Sequence, residues 1–107
     1  MYTVPDHLPT DPILQDLVPE FLQQWAHDLT VTFAEMRRSG STEDLKRFGH
    51  TMKGSFLQFG FRDLSVVGKE IMIDAEAGNW DAAEQKVQDM LGVVRTLQQR
   101  IANGELS

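Results

Sequence analysis

The chain has 107 residues, enough for one domain with a single core and too few for a kinase with its own nucleotide-binding domain. Its 41% apolar and 24% charged residues are typical of a globular protein, and no apolar run approaches the roughly 20 residues that span a bilayer. A net charge of −6 argues against nucleic-acid binding, and the absence of cysteine excludes disulfides and thiolate metal sites, as expected for a cytoplasmic protein.

The first segment of the chain predicts a leader and a broken helix. Residues 1–10 contain two prolines and are expected to form a flexible or extended leader. Asp11 and Pro12 suit the N-cap and the first position of a helix. We expect Pro19 to interrupt this helix, which gives a short N-terminal helix followed by a longer one that ends near Arg38. The longer helix carries an apolar stripe: Val18, Phe21, Leu22, Trp25, Leu29, Phe33 and Met36.

A second long helix is predicted to begin near Thr42. Ser41 and Asp44 have the spacing of a capping box, with Asp in place of the usual Glu or Gln. Gly60 and Phe61 mark the end of this helix. Its apolar residues recur at steps of three and four, which is the pattern of a helix with one buried face: Leu45, Phe48, Met52, Phe56 and Phe59.

Two further helices complete the predicted domain. One runs to about Ala77 and is closed by Gly78, and Asn79 caps the last helix. Their apolar stripes are Leu64, Val67, Gly68, Ile71 and Ala75, then Trp80, Ala83, Val87, Met90, Val94, Leu97 and Ile101. Because the connections are short, the sequence predicts an all-α fold: an antiparallel four-helix bundle over residues 11–107, with the short N-terminal helix as an extra element.

His50 lies nearly opposite the apolar stripe of its helix, at about 100° per residue, and should therefore face water. Its own face of the helix carries cations, one glycine and one apolar side chain. This composition is typical of a docking surface around an imidazole, and the residues that surround His50 on it are Lys46, Arg47, Lys53, Gly54 and Leu57.

This stretch resembles the histidine phosphotransfer (HPt) domain family. The family signature is a phosphorylatable His followed by Lys, Gly and a later Gly, and here it reads His50-x-x-Lys53-Gly54-Ser55 to Gly60-Phe61-x-x-Leu64. The resemblance covers about residues 11–101 in the order and length of the helices. It implies a monomeric phosphocarrier that exchanges a phosphoryl group with aspartates in receiver domains of response regulators and hybrid histidine kinases. It implies no cofactor of the carrier's own, with Mg²⁺ supplied by the receiver, and no autonomous kinase activity.

The motif suggests a role for each residue near His50. The exposed imidazole is a competent nucleophile near neutral pH. Lys53, one turn later, can reach a phosphoryl oxygen as a point charge. Gly54 costs about 1 kcal/mol relative to Ala in a helix interior, and keeping the imidazole clear for an incoming receiver would explain that cost.

Four other residues are candidates for contact with the receiver. Leu57 and Phe61 would supply apolar contact. Lys46 and Arg47 would complement an acidic rim on the partner, or would simply be a solvated face of the helix.

The chain departs from the family pattern at Met72. Some members place a polar side chain about 22 residues after the His to hydrogen-bond the imidazole, and here that position is apolar. Orientation of the ring would then come from Ser55, Gln58 or Lys69, or from a partner.

The sequence leaves two other classes of function to consider. The same fold could bind receivers without turnover, as an interaction module or phosphate sink. A metal- or haem-binding bundle is disfavoured, because the sequence has no C-x-x-C-H motif and no E-x-x-H pair. The sequence also leaves open whether the chain is a complete carrier or a piece of a larger kinase, although Met1 at its start favours the first.

Overall fold

The computed structural model describes residues 2–106, and the regular elements in that part of the chain are all helical. A continuous helical stretch joins the first three elements, so these residues form four helical rods. The elements are α1 (Pro12–His27), a π-helical segment (Asp28–Thr32), α2 (Phe33–Ser39), α3 (Thr42–Gln58), α4 (Arg62–Ala77) and α5 (Trp80–Ala102).

The predicted helix starts are confirmed by their caps. The Ser41 hydroxyl accepts a hydrogen bond from the backbone N–H of Asp44 at 3.2 Å, and the Asn79 side chain accepts one from that of Ala82 at 3.1 Å. Asp11 caps α1 in the same way. These bonds satisfy backbone donors that the first turn of each helix leaves unpaired.

The predicted break at Pro19 is wrong. α1 runs through this proline, so the separate short N-terminal helix is replaced by one continuous helix. Pro19 is exposed, whereas Val18 and Leu22 on either side of it are fully buried. Burying such side chains stabilises by about 1.5–3 kcal/mol each, which offsets the missing backbone hydrogen bond.

The π-helical segment was not predicted. Within and next to it, threonine hydroxyls bond back along the helix: Thr30 Oγ1 donates to the carbonyl of Ala26 at 2.8 Å, and Thr32 Oγ1 donates to Asp28 Oδ1 at 2.9 Å. The Thr30 bond engages a backbone carbonyl that the helical pattern also uses, whereas the Thr32 bond joins two side chains. The helix changes from α to π and back between α1 and α2 without ending.

The core lies where the apolar stripes meet. α3 packs along α4, α1 along α5, and α4 against α5. The radius of gyration of 13.6 Å is close to the about 13 Å expected for a compact domain of this length. The largest side chains with essentially no exposure are Phe56, Leu22, Leu45, Met52, Leu64, Ile71, Met90 and Leu97.

The leader lies against this core. Residues 2–10 form neither helix nor strand, and Met1 falls outside the described residues. Tyr2, Val4 and Leu8 are partly buried and pack on the core. The predicted leader is therefore anchored by apolar contacts along its length.

A tight turn sets α4 beside α3. Gly60 has φ of +81°, a left-handed conformation that favours glycine, and the Phe61 N–H donates to the Phe56 carbonyl at 2.9 Å. The connection between the two helices takes three residues, and α4 packs along the helix that carries His50. Among the helices described, none has the length and apolar character needed to cross a membrane.

Candidate functional site

The two faces of α3 are divided as the sequence predicts. Leu45, Phe48, Met52 and Phe56 are buried, and Phe59 is half-buried. His50 is exposed on the other side of the helix. Its imidazole makes no hydrogen bond or ion pair with any other residue between 2 and 106, so both ring nitrogens are free to react or to bind a partner.

Lys53 and Gly54 lie beside His50 on the exposed face. Within the described residues Lys53 forms no ion pair, which leaves its ammonium available to an anion. A Cβ placed on Gly54 would find no side chain or neighbouring helix within 4 Å in that part of the chain. The glycine is therefore not required by packing, and its φ is not in the positive region.

The other two predicted cations are paired. Lys46 Nζ lies 2.8 Å from Glu76 Oε1 on α4, and Arg47 Nη1 lies 3.2 Å from Asp44 Oδ1 one turn earlier. The Lys46 ammonium lowers the pKa of the Glu76 carboxyl, chiefly through that hydrogen bond. Both cations are exposed, but to bind a partner's carboxylates Lys46 would have to break or share its ion pair with Glu76, and Arg47 its ion pair with Asp44.

The two predicted apolar contact residues differ sharply. Leu57 is 48% exposed, so it is available to a partner. Phe61 is 5% exposed, which contradicts its proposed place on the docking surface. Its ring centroid lies 6.3 Å from that of Phe21 and 6.3 Å from that of Phe56. Phe61 is a core residue that packs near aromatic rings of α1 and α3.

Two exposed apolar residues on α4 were missed from the sequence. Val66 is 52% exposed and Ile73 is 58% exposed. They are seven residues apart and so share a face of the helix. The signal was present, because both fall outside the stripe of Leu64, Val67, Gly68, Ile71 and Ala75.

No polar side chain orients the imidazole in the described residues. Ser55, Gln58 and Lys69, the three predicted candidates, make no hydrogen bond to His50 there. Met72 is half-buried, and its Cγ would lie 2.9 Å from a Cβ on Gly49, the residue before His50. The side of α4 that faces His50 is thus apolar at Met72.

α3 and α4 approach each other closely at two glycines next to the site. A Cβ on Gly49 would lie 2.6 Å from the Gly68 carbonyl oxygen, and a Cβ on Gly68 would lie 2.5 Å from the backbone nitrogen of Lys53. Only hydrogen fits at both positions. The contact fixes the position of α4 along the axis of α3, and so its alignment with His50 and Lys53.

Metal-ligating side chains are dispersed in the part of the chain that the structure describes. No three His, Asp or Glu residues there are grouped so that they could hold a metal ion.

Comparison with models of known protein families, with curated proteins and with solved structures found no match in any of the three. The chemistry of His50 must therefore be inferred from residue type, exposure and contact geometry.

Proposed function

We propose that this chain is a histidine phosphocarrier of the HPt type, which accepts a phosphoryl group on His50 and exchanges it with aspartates of receiver domains. The observation that carries the proposal is the exposed imidazole of His50, with two features beside it. Lys53, one turn away, forms no ion pair within residues 2–106, and Gly54 is an open position. A phosphocarrier needs a free nucleophile, a nearby positive charge and room for a partner, and this face offers all three.

We take the architecture to be an antiparallel four-helix bundle. Its support lies in the residue pairs that link α3 and α4. Lys46 meets Glu76, Gly49 meets Met72, and Gly68 meets Lys53. Along these pairs the residue number rises on α3 and falls on α4, which is the pattern of two antiparallel helices.

The transfer reaction places few demands on the carrier. A lone pair of the His50 imidazole attacks phosphorus of an aspartyl phosphate; the bond to the carboxylate oxygen breaks, and its electrons stay on that oxygen. The proton released from the ring passes to water. Such transfers depend mainly on positioning and on stabilisation of charge. The receiver would supply Mg²⁺ and its own acidic residues, so the carrier contributes the nucleophile and one or more cations.

The contact surface would extend over both helices. Leu57 on α3 and Val66 and Ile73 on α4 are exposed and apolar, and they flank the face that carries His50. Buried apolar contact at the centre with charged groups at the rim is the usual anatomy of a protein interface. The proposal implies a cytoplasmic monomer that meets receivers one at a time.

A second candidate is a receiver-binding module or phosphate sink with slow turnover. It is favoured by the apolar surroundings of the imidazole on the α4 side, where Met72 offers no hydrogen bond to hold the ring. A loosely oriented imidazole would slow transfer in both directions, because the forward and reverse steps share one transition state. Rates of transfer in both directions distinguish this candidate from a carrier.

The deciding experiment is incubation of the chain with receiver domains that carry labelled phosphate. We expect label on the chain that is stable in base and lost in acid, as a phosphoramidate is. His50→Gln should fold normally and take no label. His27→Gln is a matched control, because His27 is also an exposed histidine on a helix, and it should label like the parent chain. Label on His50→Gln would rule out the assignment.

A further inference from the structure

The contacts between α3 and α4 define a register that extends beyond the ion pair at one end. Lys46 on α3 is paired with Glu76 on α4 at 2.8 Å. Lys53 lies seven residues after Lys46, and Lys69 lies seven residues before Glu76. Seven residues are nearly two turns of an α-helix. Lys53 therefore faces the same way as Lys46, and Lys69 faces the same way as Glu76.

Lys53 and Lys69 therefore stand opposite each other, as Lys46 and Glu76 do. The backbone supports this placement, because a Cβ on Gly68, the neighbour of Lys69, would lie 2.5 Å from the Lys53 nitrogen and 2.9 Å from its Cα. Both lysines are exposed. Their ammonium groups sit at the ends of flexible four-carbon stems and can converge on one anion.

His50 lies between the two pairs. It stands opposite Met72, one turn from Lys53, at a rise of about 4.5 Å along the helix axis. On one side of the imidazole is an ion pair whose charges cancel. On the other side are two cations.

The two lysines have no acid to neutralise them in the described residues. Neither forms an ion pair there, and the positions three and four residues away from each on its own helix carry no carboxylate. Lys86, by contrast, is held by Asp74 at 2.7 Å. Lys53 and Lys69 therefore offer two positive charges to an anion, on a chain whose net charge is −6.

We propose that Lys53 and Lys69 form a two-lysine cradle that holds oxygens of the phosphoryl group carried by His50. The identity of the anion rests on the proposed function, whereas the cradle itself rests on the register. Lys69 is thus a phosphate-binding residue contributed by α4. It lies one turn from Met72, whose apolar side chain has no group that could hydrogen-bond the ring or a phosphoryl oxygen.

The cradle can be tested on the unphosphorylated chain with inorganic phosphate as the probe. Phosphate replaces chloride at constant pH and ionic strength, and NMR follows the His50 ring protons and the lysine side chains. We expect saturable shifts at His50, Lys53 and Lys69. Lys69→Gln and Lys53→Gln should each weaken binding by about threefold to fivefold, as for loss of one exposed charge pair.

Two further variants separate charge from structure. Lys69→Arg should retain binding because the cation is kept. Arg95→Gln removes one charge from an exposed position on α5 and should leave binding unchanged. Wild-type shifts that do not saturate, or binding that is the same in Lys69→Gln, would overturn the cradle.

The outcome is independent of phosphoryl transfer. If His50 accepts label from a receiver but phosphate binding ignores Lys69, the cradle is wrong and the carrier function stands. If phosphate binding requires both lysines but His50 takes no label, the cradle stands and the carrier function is wrong.

Discussion

Gly49 and Gly68 face each other where α3 crosses α4, and neither position has room for a side chain. A Cβ on Gly49 would lie 2.6 Å from the Gly68 carbonyl oxygen, and a Cβ on Gly68 would press on the carbonyl oxygen of Gly49 and on the backbone of Lys53. Both obstacles are backbone atoms, which cannot rotate away. The crossing therefore couples the packing of α3 and α4 to the position of the candidate site.

An added side chain at the crossing of α3 and α4 should destabilise the domain. Gly49→Ala and Gly68→Ala should each lower the free energy of unfolding by about 1–3 kcal/mol, because overpacking outweighs the gain in helix propensity. Chemical denaturation with circular dichroism measures the change. Gly92→Ala is the control, since Gly92 lies in the exposed interior of α5 with nothing within 4 Å of an added Cβ in the described residues, and it should be stabilising. Neutral or stabilising effects at Gly49 and Gly68 would mean that the helices can separate freely.

Gly54 should behave in the opposite way, although it is on the same helix. Gly54→Ala is expected to stabilise the domain by up to about 1 kcal/mol, because the position is open and helical. If the glycine keeps the imidazole clear for a receiver aspartate, Ala and then Gln should transfer progressively more slowly. Denaturant midpoints and single-turnover transfer are measured on the same preparations. Normal transfer in both variants would refute the clearance role.

Helix boundaries could be predicted because their causes are local. Ser41 and Asn79 cap helices through bonds to residues three positions away, and the apolar stripes recur every three or four residues. Exposure of His50 followed from the same periodicity. These features require no knowledge of which helices touch.

Contacts between residues far apart in the chain determine the features that the sequence does not predict. The sequence predicts that Pro19 ends a helix, but α1 packs along α5, and the burial of Val18 and Leu22 that goes with this packing keeps the backbone helical. The sequence predicts that Phe61 faces a partner, but the side chain is buried and its ring packs near that of Phe21, 40 residues earlier. Local patterns do not contain this information.

The electrostatic surroundings of His50 also depend on the register of two helices. Lys46 was a candidate for partner contact, and the structure pairs it with Glu76, 30 residues later. The opposition of Lys53 and Lys69 becomes visible only when that pair fixes the alignment of α3 and α4. Sequence periodicity predicts the face of the helix on which a residue lies, but it does not predict which residue of the next helix lies opposite.

Lys53 should matter for phosphoryl chemistry and little for folding. Lys53→Ala is expected to slow transfer and to shorten the life or alter the reactivity of phosphorylated His50, while the free energy of unfolding changes by no more than about 0.5 kcal/mol. Acid-quenched time courses in both directions measure the first effect, and denaturation measures the second. Arg95→Ala is the charge-matched control. Identical time courses for Lys53→Ala and the parent chain would leave Lys53 without a role in the reaction.

Leu57 and Phe61 should separate binding from stability. Leu57→Ala removes a half-exposed side chain and is expected to weaken receiver binding while stability changes by about 0.5 kcal/mol or less. Phe61→Ala removes a buried ring and should cost about 3 kcal/mol of stability. Calorimetric titration with a receiver and denaturation give the two quantities. Unchanged receiver affinity in Leu57→Ala would exclude Leu57 from the interface.

Tyr2 should make the stability of the domain depend on alkaline pH. Burial raises the pKa of its phenol from 10.0 to about 12, with further contributions from the nearby carboxylates of Glu70, Asp89 and Asp74. Below pH 10 the phenol is protonated in the folded and unfolded chains, so it adds no pH dependence. Between about pH 10 and 12 the unfolded chain loses the proton first, so its release favours unfolding and stability falls as pH rises.

Lysines also titrate in this range, so the comparison is with Tyr2→Phe, which should lose less stability than the parent chain between pH 10 and 12. Because Tyr2 is the only tyrosine, absorbance at the tyrosinate band reports its ionisation directly. A titration midpoint near that of free tyrosine would show that the leader does not stay packed against the core at high pH. A raised midpoint together with the smaller loss in Tyr2→Phe would show that the leader is part of the folded domain.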